Sequence, residues 1–137
     1  MKKLLSILCV SIIALTAASC KKETIVQGGN TNQTVYATNV TDWTLVTENG
    51  RSYYKTDINV PKLDKTYSEN GAVLVYIANT GDTQWEQVPE VFAGQAFSFT
   101  HDVGRVTIYA QNPTGTGTPT LPVPLDIKIV LIDSNVQ

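Results

Sequence analysis

The chain has one histidine, His101, and an aspartate, Asp102, follows it directly. A His–Asp neighbour pair invites an acid–base reading, because an imidazole oriented by a carboxylate is a common proton carrier in nucleophilic catalysis. That chemistry also needs a nucleophile or a metal set against the ring. The sequence has no G-x-S-x-G elbow and no second histidine for a zinc site. Neighbouring residues on a strand also point to opposite faces. His101 therefore reads as a strand-end histidine beside a turn aspartate. The carboxylates lead to a similar reading. Glu86 and Glu90 flank Val88-Pro89, while Asp57, Asp64, Asp82 and Asp126 are scattered. A glycosidase needs two carboxylates at a set separation, and twelve acids make chance pairing easy. No loop of alternating acids ahead of a glycine offers a calcium site. These acids read as a solvated surface. No catalytic residue, metal ligand or cofactor is expected.

The aromatic residues are the stronger lead. Trp43, Trp85 and six tyrosines present apolar ring faces with polar handles, the chemistry of a sugar-stacking platform. Trp43, Trp85 and Tyr53 are the candidate ligand-binding residues. The plainer reading is that these rings pack the core and its rims. Pattern alone does not say which rings are exposed.

The cysteines speak to location. Lys2 and Lys3 precede an apolar run, Leu4 to Leu15, and the small residues Thr16 to Ser19. That order is expected of a secretory signal peptide spanning residues 1–19. A transmembrane helix needs about 20 apolar residues, and this run is shorter. Ala17-Ala18-Ser19-Cys20 resembles a bacterial lipobox. In that family the cysteine receives a diacylglyceryl group and becomes the first mature residue, its amine usually acylated in turn. Leucine is commonest at the position held here by Ala17. The competing reading is ordinary signal-peptidase cleavage, which leaves a free thiol. With Cys9 removed and Cys20 acylated, the mature chain has no thiol for a disulfide or a metal. Two or more acyl chains anchor stably where one does not.

Residues 20–34 then read as the lipidated cysteine and a flexible polar tether containing Gly28-Gly29. Residues 35–137 read as one domain. Loss of Lys2 and Lys3 moves the net charge from −2 to −4. Arg51 and Arg105 are the only arginines. That charge pattern excludes nucleic acid as a partner.

The elements that must position any site are strands. Trp43 to Thr47 and Ser52 to Val60 alternate in period two around Asn49-Gly50, the pair suited to a type I′ hairpin turn. In the second strand Tyr54, Thr56, Ile58 and Val60 share a face, and Pro61 ends it. Leu63 to Asn70 is a short helical turn, capped either by a Thr66/Glu69 box or by Asp64, with Gly71 at C′. Ala72 to Ala78, apolar on both faces, predicts a central strand buried on both sides, or nearly so. Gln84 to Val88 returns, Pro89 interrupts, and Val91-Phe92 leads on to Gln95–Thr100. Arg105 to Gln111 and Leu125 to Asp133 are further strands. Asn112 to Pro124 is a Pro/Gly-rich surface loop.

Seven to eight short strands with almost no helix predict an all-β fold, an antiparallel β-sandwich, with a closed barrel as the alternative. The expected core is Trp43, Tyr54, Val75, Ile77, Phe97, Phe99, Ile108, Ile127 and Ile129.

Several stretches resemble a small β domain of exported Bacteroidota lipoproteins, also found at the C-termini of collagen-like proteins from that group. They are Trp43, Tyr53-Tyr54, Gly71-Ala72-Val73-Leu74-Val75-Tyr76, Trp85 with Val88-Pro89, and Ile127 to Ile132, across residues 40–133. The resemblance implies a β-sandwich-like domain and carries no catalytic residues. Collagen-like repeats are absent from this chain. Only Glu23 stands near Cys20 where the surface-export signal of that group has an acidic cluster. Taken together, the expected protein is a non-enzymatic binding or structural module of the cell envelope. Its expected site is the outer membrane, on the periplasmic face or the cell surface, held through acylated Cys20. An envelope protein or a glycan is the expected partner, and a carbohydrate-binding module is the sharper alternative.

Overall fold

The structure is a computed structural model that describes residues 32–134. The expected signal peptide, Cys20 and the expected tether up to residue 31 lie outside the described residues. The chain forms β1 (Gln33–Val40), β2 (Thr44–Glu48), β3 (Arg51–Asn59), α1 (Lys65–Glu69), β4 (Ala72–Asn79), β5 (Glu86–Val88), β6 (Glu90–Phe92), β7 (Gln95–Asp102), β8 (Arg105–Gln111) and β9 (Leu125–Ile132). Among the described residues nine strands make two sheets. One has the order β1-β9-β4-β5 and the other β2-β3-β8-β7-β6. All the strand pairings are antiparallel. The described residues therefore form an all-β sandwich with one tiny helix, and not a barrel.

Period-two alternation dictates the packing. Val73, Val75 and Ile77 of β4, Ile127, Ile129 and Leu131 of β9, and Val106, Ile108 and Ala110 of β8 all turn inward and are buried. Burying such aliphatic side chains contributes roughly 1.5–3 kcal/mol each. Six of the expected core residues are buried, while Trp43, Tyr54 and Phe99 are half-buried at its margin. The core also takes Val60, Leu63 and Tyr67 from the β3–α1 corner, which close one end of the sandwich.

The turns follow their residues. Asn49 and Gly50 take φ of 50° and 75° between the paired Glu48 and Arg51, as a type I′ turn requires. Ala93 and Gly94, at 49° and 79°, make a second two-residue hairpin between β6 and β7. Alanine at the first turn position hid that hairpin from sequence inspection. At α1 the cap is Asp64, whose carboxylate accepts from Tyr67 N–H at 3.1 Å. Gly71 keeps an ordinary negative φ. It is needed for close approach, because a Cβ there would run into the Ile132 carbonyl oxygen.

Three further expectations change. Gln33 and Thr34, at the end of the polar stretch, already pair with Leu131 and Val130 of β9. Between Val88 and Glu90 the chain crosses from one sheet to the other, so β5 and β6 are not one interrupted strand. Finally, β4 buries Val73, Val75 and Ile77 on its inner face, whereas on its outer face only Ala78 is buried. Leu74 and Tyr76 on its outer face stay half-exposed, because no further layer packs on that sheet among the described residues.

Candidate functional site

That open face of the four-stranded sheet carries the clearest cluster. In-register pairing places Tyr36 of β1, Lys128 of β9, Tyr76 of β4 and Gln87 of β5 side by side across the sheet. All four point outward, since their strand neighbours point into the core. Trp85, two residues before Gln87, is on the same side. Its ring centroid lies 6.0 Å from that of Tyr36, with the planes at 57°. The Lys128 ammonium sits 4.3 Å from the Tyr76 ring centroid and 4.8 Å from that of Trp85. Both distances lie within cation–π range. Tyr36 is 61% exposed, and Trp85, Tyr76 and Lys128 are half-exposed.

One carboxylate holds the elements that carry these rings. β1 bulges between Ala37 and Val40, where Asn39 has φ of 51°. Asp126 Oδ1 accepts from Asn39 N–H at 2.8 Å, and Oδ2 accepts from Gly81 N–H, in the β4–β5 turn, at 3.1 Å. Those hydrogen bonds, Asn39 first, hold the Asp126 carboxyl below its usual range. A β9 side chain thus ties down the strand bearing Tyr36 and the turn leading to Trp85, two residues from Lys128.

The outer face of the five-stranded sheet is different. Lys55, Asp57, Thr100, Asp102, Arg105, Thr107 and Tyr109 line a shallow depression of about 330 Å³. Thr107 Oγ1 donates to Asp57 Oδ1 at 2.6 Å, and the Thr100 and Tyr109 hydroxyls are 3.1 Å apart. Tyr53 packs edge-on against Tyr109 at 5.7 Å and donates to Glu48 Oε2 at 3.1 Å. Partial desolvation and, next, the Glu48 carboxylate push the Tyr53 hydroxyl up from its usual range.

The residues singled out in the sequence therefore do not converge. Trp85 belongs to the four-stranded face and Tyr53 to the five-stranded face. Trp43 packs against the core, edge-on to Phe97 at 6.3 Å, with its indole N–H enclosed and unpartnered. Cys20 lies outside the described residues. His101, the penultimate residue of β7, lies at the rim of the polar depression, its Nδ1 3.5 Å from Ser68 Oγ. That is longer than the roughly 2.6–3.2 Å of a working nucleophile–base pair. Asp102 instead accepts from Val103 N–H at 2.7 Å. No group of three or more His, Cys, Asp or Glu among the described residues is placed to hold a metal.

Among the six tyrosines the sequence did not single out Tyr36 and Tyr76, and it did not point to Lys128. A signal existed for the last: it is the one charged residue inside Ile127-Lys128-Ile129-Val130-Leu131-Ile132. A lone lysine in such a run must face outward. What it meets there depends on strand order. No known protein family, curated protein or solved structure matches this chain.

Proposed function

We propose that the chain is a lipid-anchored, non-catalytic module of the cell envelope that binds a saccharide through the outer face of its four-stranded sheet. The observation that carries this reading is the aromatic row on an otherwise uncovered face: Tyr36, Trp85 and Tyr76 around Lys128. Ring faces held at fixed spacing by a rigid sheet suit the apolar C–H faces of sugars. The phenol hydroxyls of Tyr36 and Tyr76 engage no partner among the described residues, so they are free to bond sugar hydroxyls. Tyr36, Tyr76 and Lys128 sit on paired strands and Trp85 directly precedes β5, which keeps the geometry set before ligand arrives.

The anchor in this proposal rests on Ala17-Ala18-Ser19-Cys20. The resemblance of residues 40–133 to exported Bacteroidota domains points to the same compartment. Among the described residues no helix is long and apolar enough to cross a membrane. Under this reading Cys20→Ser abolishes incorporation of labelled palmitate and releases the protein from the membrane fraction. Unchanged membrane attachment of Cys20→Ser would show the anchor assignment to be wrong.

The binding half is tested by calorimetric titration of the full chain with a panel of neutral and acidic oligosaccharides. Binding that weakens at least about tenfold in Trp85→Ala, with the fold intact, is the expected result. Silence across the panel, or binding indifferent to both Trp85→Ala and Tyr36→Ala, would sink it.

A further inference from the structure

The charge at the centre of the row says more about the ligand than the rings do. Lys128 is the only cation on the four strands of its sheet. It has no carboxylate partner, since Lys65–Glu69 on the exposed side of α1 is the only ion pair among the described residues. The carboxylate nearest to it along β9, Asp126, is occupied through both oxygens by the Asn39 and Gly81 N–H groups. Glu86 of β5 pairs with the inward-pointing Ile77, so it belongs to the opposite phase of its strand. The ammonium is instead held against two ring faces, Tyr76 and Trp85. Rings attract a cation without using its N–H donors as a carboxylate would, and they exclude water from one side of it. The result is a positioned cation, partly desolvated, with donors left over and a stacking surface beside it.

We infer that this face takes an acidic saccharide, the sugar ring stacked beside Trp85 and Tyr36 and its carboxylate paired with Lys128 Nζ. The inference rests on the saccharide-binding reading and narrows it to one class. An exposed ion pair alone contributes little. A charge-assisted hydrogen bond beside apolar rings contributes more, on the scale of about a tenfold change in affinity. A neutral sugar would leave Lys128 unpaired and gain only the stacking term.

The test uses the full chain and one pair of probes, an oligogalacturonate and its methyl ester, which share a shape and differ in charge. The acid is expected to bind about tenfold more tightly than the ester at low salt. That gap should close towards about 1 M salt, where the screening length falls to about 3 Å. Lys128→Gln should erase the gap and leave ester binding in place, while Lys128→Arg should keep it. Far-ultraviolet circular dichroism and thermal melting of each variant exclude misfolding as the cause. Equal binding of acid and ester would overturn the inference and leave the saccharide reading standing. A gap that survives Lys128→Gln would also overturn it, by placing the anion elsewhere. Failure of both probes, together with neutral glucans and mannans, would remove both readings.

Discussion

On the outer face of the five-stranded sheet, polar side chains use one another up. Thr107 donates to Asp57, Thr100 meets Tyr109, and Tyr53 donates to Glu48. On the outer face of the four-stranded sheet the arrangement is reversed. A lysine lies against rings with no anion, and tyrosine hydroxyls have no partner among the described residues. Both faces hang on the same core and obey the same alternation, so the frame does not explain the difference. Polar groups that satisfy each other support the strands that carry them. Groups left open towards solvent are the ones available to a ligand. The two faces should therefore separate experimentally, one affecting stability and the other binding.

The largest effect expected tests their shared frame. Ile129→Ala empties a fully buried site on β9 and should cost about 2–5 kcal/mol in chemical denaturation. A loss below the lower end of that range would mean that the sheets are less tightly joined than their contacts imply. Next is the contrast in binding. Trp85→Ala should weaken saccharide affinity at least about tenfold, whereas Tyr53→Ala should leave it unchanged. Equal losses would erase the distinction between the faces. The reverse contrast is smaller. Thr107→Val removes the 2.6 Å bond to Asp57 from a side chain that is 8% exposed. It should lower stability by about 1 kcal/mol and leave saccharide affinity as it was.

The smallest effect is in acid. Asp126 titrates below its usual range because the Asn39 and Gly81 N–H groups bond its charged form. A group whose folded pKa is depressed stabilises the fold above its unfolded pKa, here near 3.8. That contribution fades as pH falls through the lower folded value. Wild type should therefore lose stability on acidification below about pH 4. Asp126→Asn should be less stable at neutral pH and show a flatter decline. Parallel acid profiles for the two proteins would contradict the clamp.

Most of the frame was legible in the sequence because alternation and turn chemistry are local. Asn49-Gly50 marked its hairpin, and Val106, Ile108, Ala110, Ile127 and Ile129 announced their inward faces. What failed did so for non-local reasons. Ala93-Gly94 turns because β6 and β7 pair across it, not because alanine favours positive φ. AVLVYIA resembles a strand buried twice over, yet β4 is open on one side at Leu74 and Tyr76, since whether a second layer exists is not written into the strand itself. Trp43 and Trp85 carry the same chemistry, and only their places in the fold pack one against the core margin and set the other on an open sheet face.

By itself the sequence determined the class of fold, the phase of nearly every strand and the outward direction of Lys128, all consequences of period-two patterning. It also carries the lipobox-like segment on which the anchor proposal depends. The tertiary structure decided which outward residues stand side by side. Tyr36, Tyr76, Trp85 and Lys128 come from four separate stretches, and only the order β1-β9-β4-β5 brings them into one row. Strand order arises from how two sheets bury their inner faces together, a long-range property of the whole core that no single segment encodes.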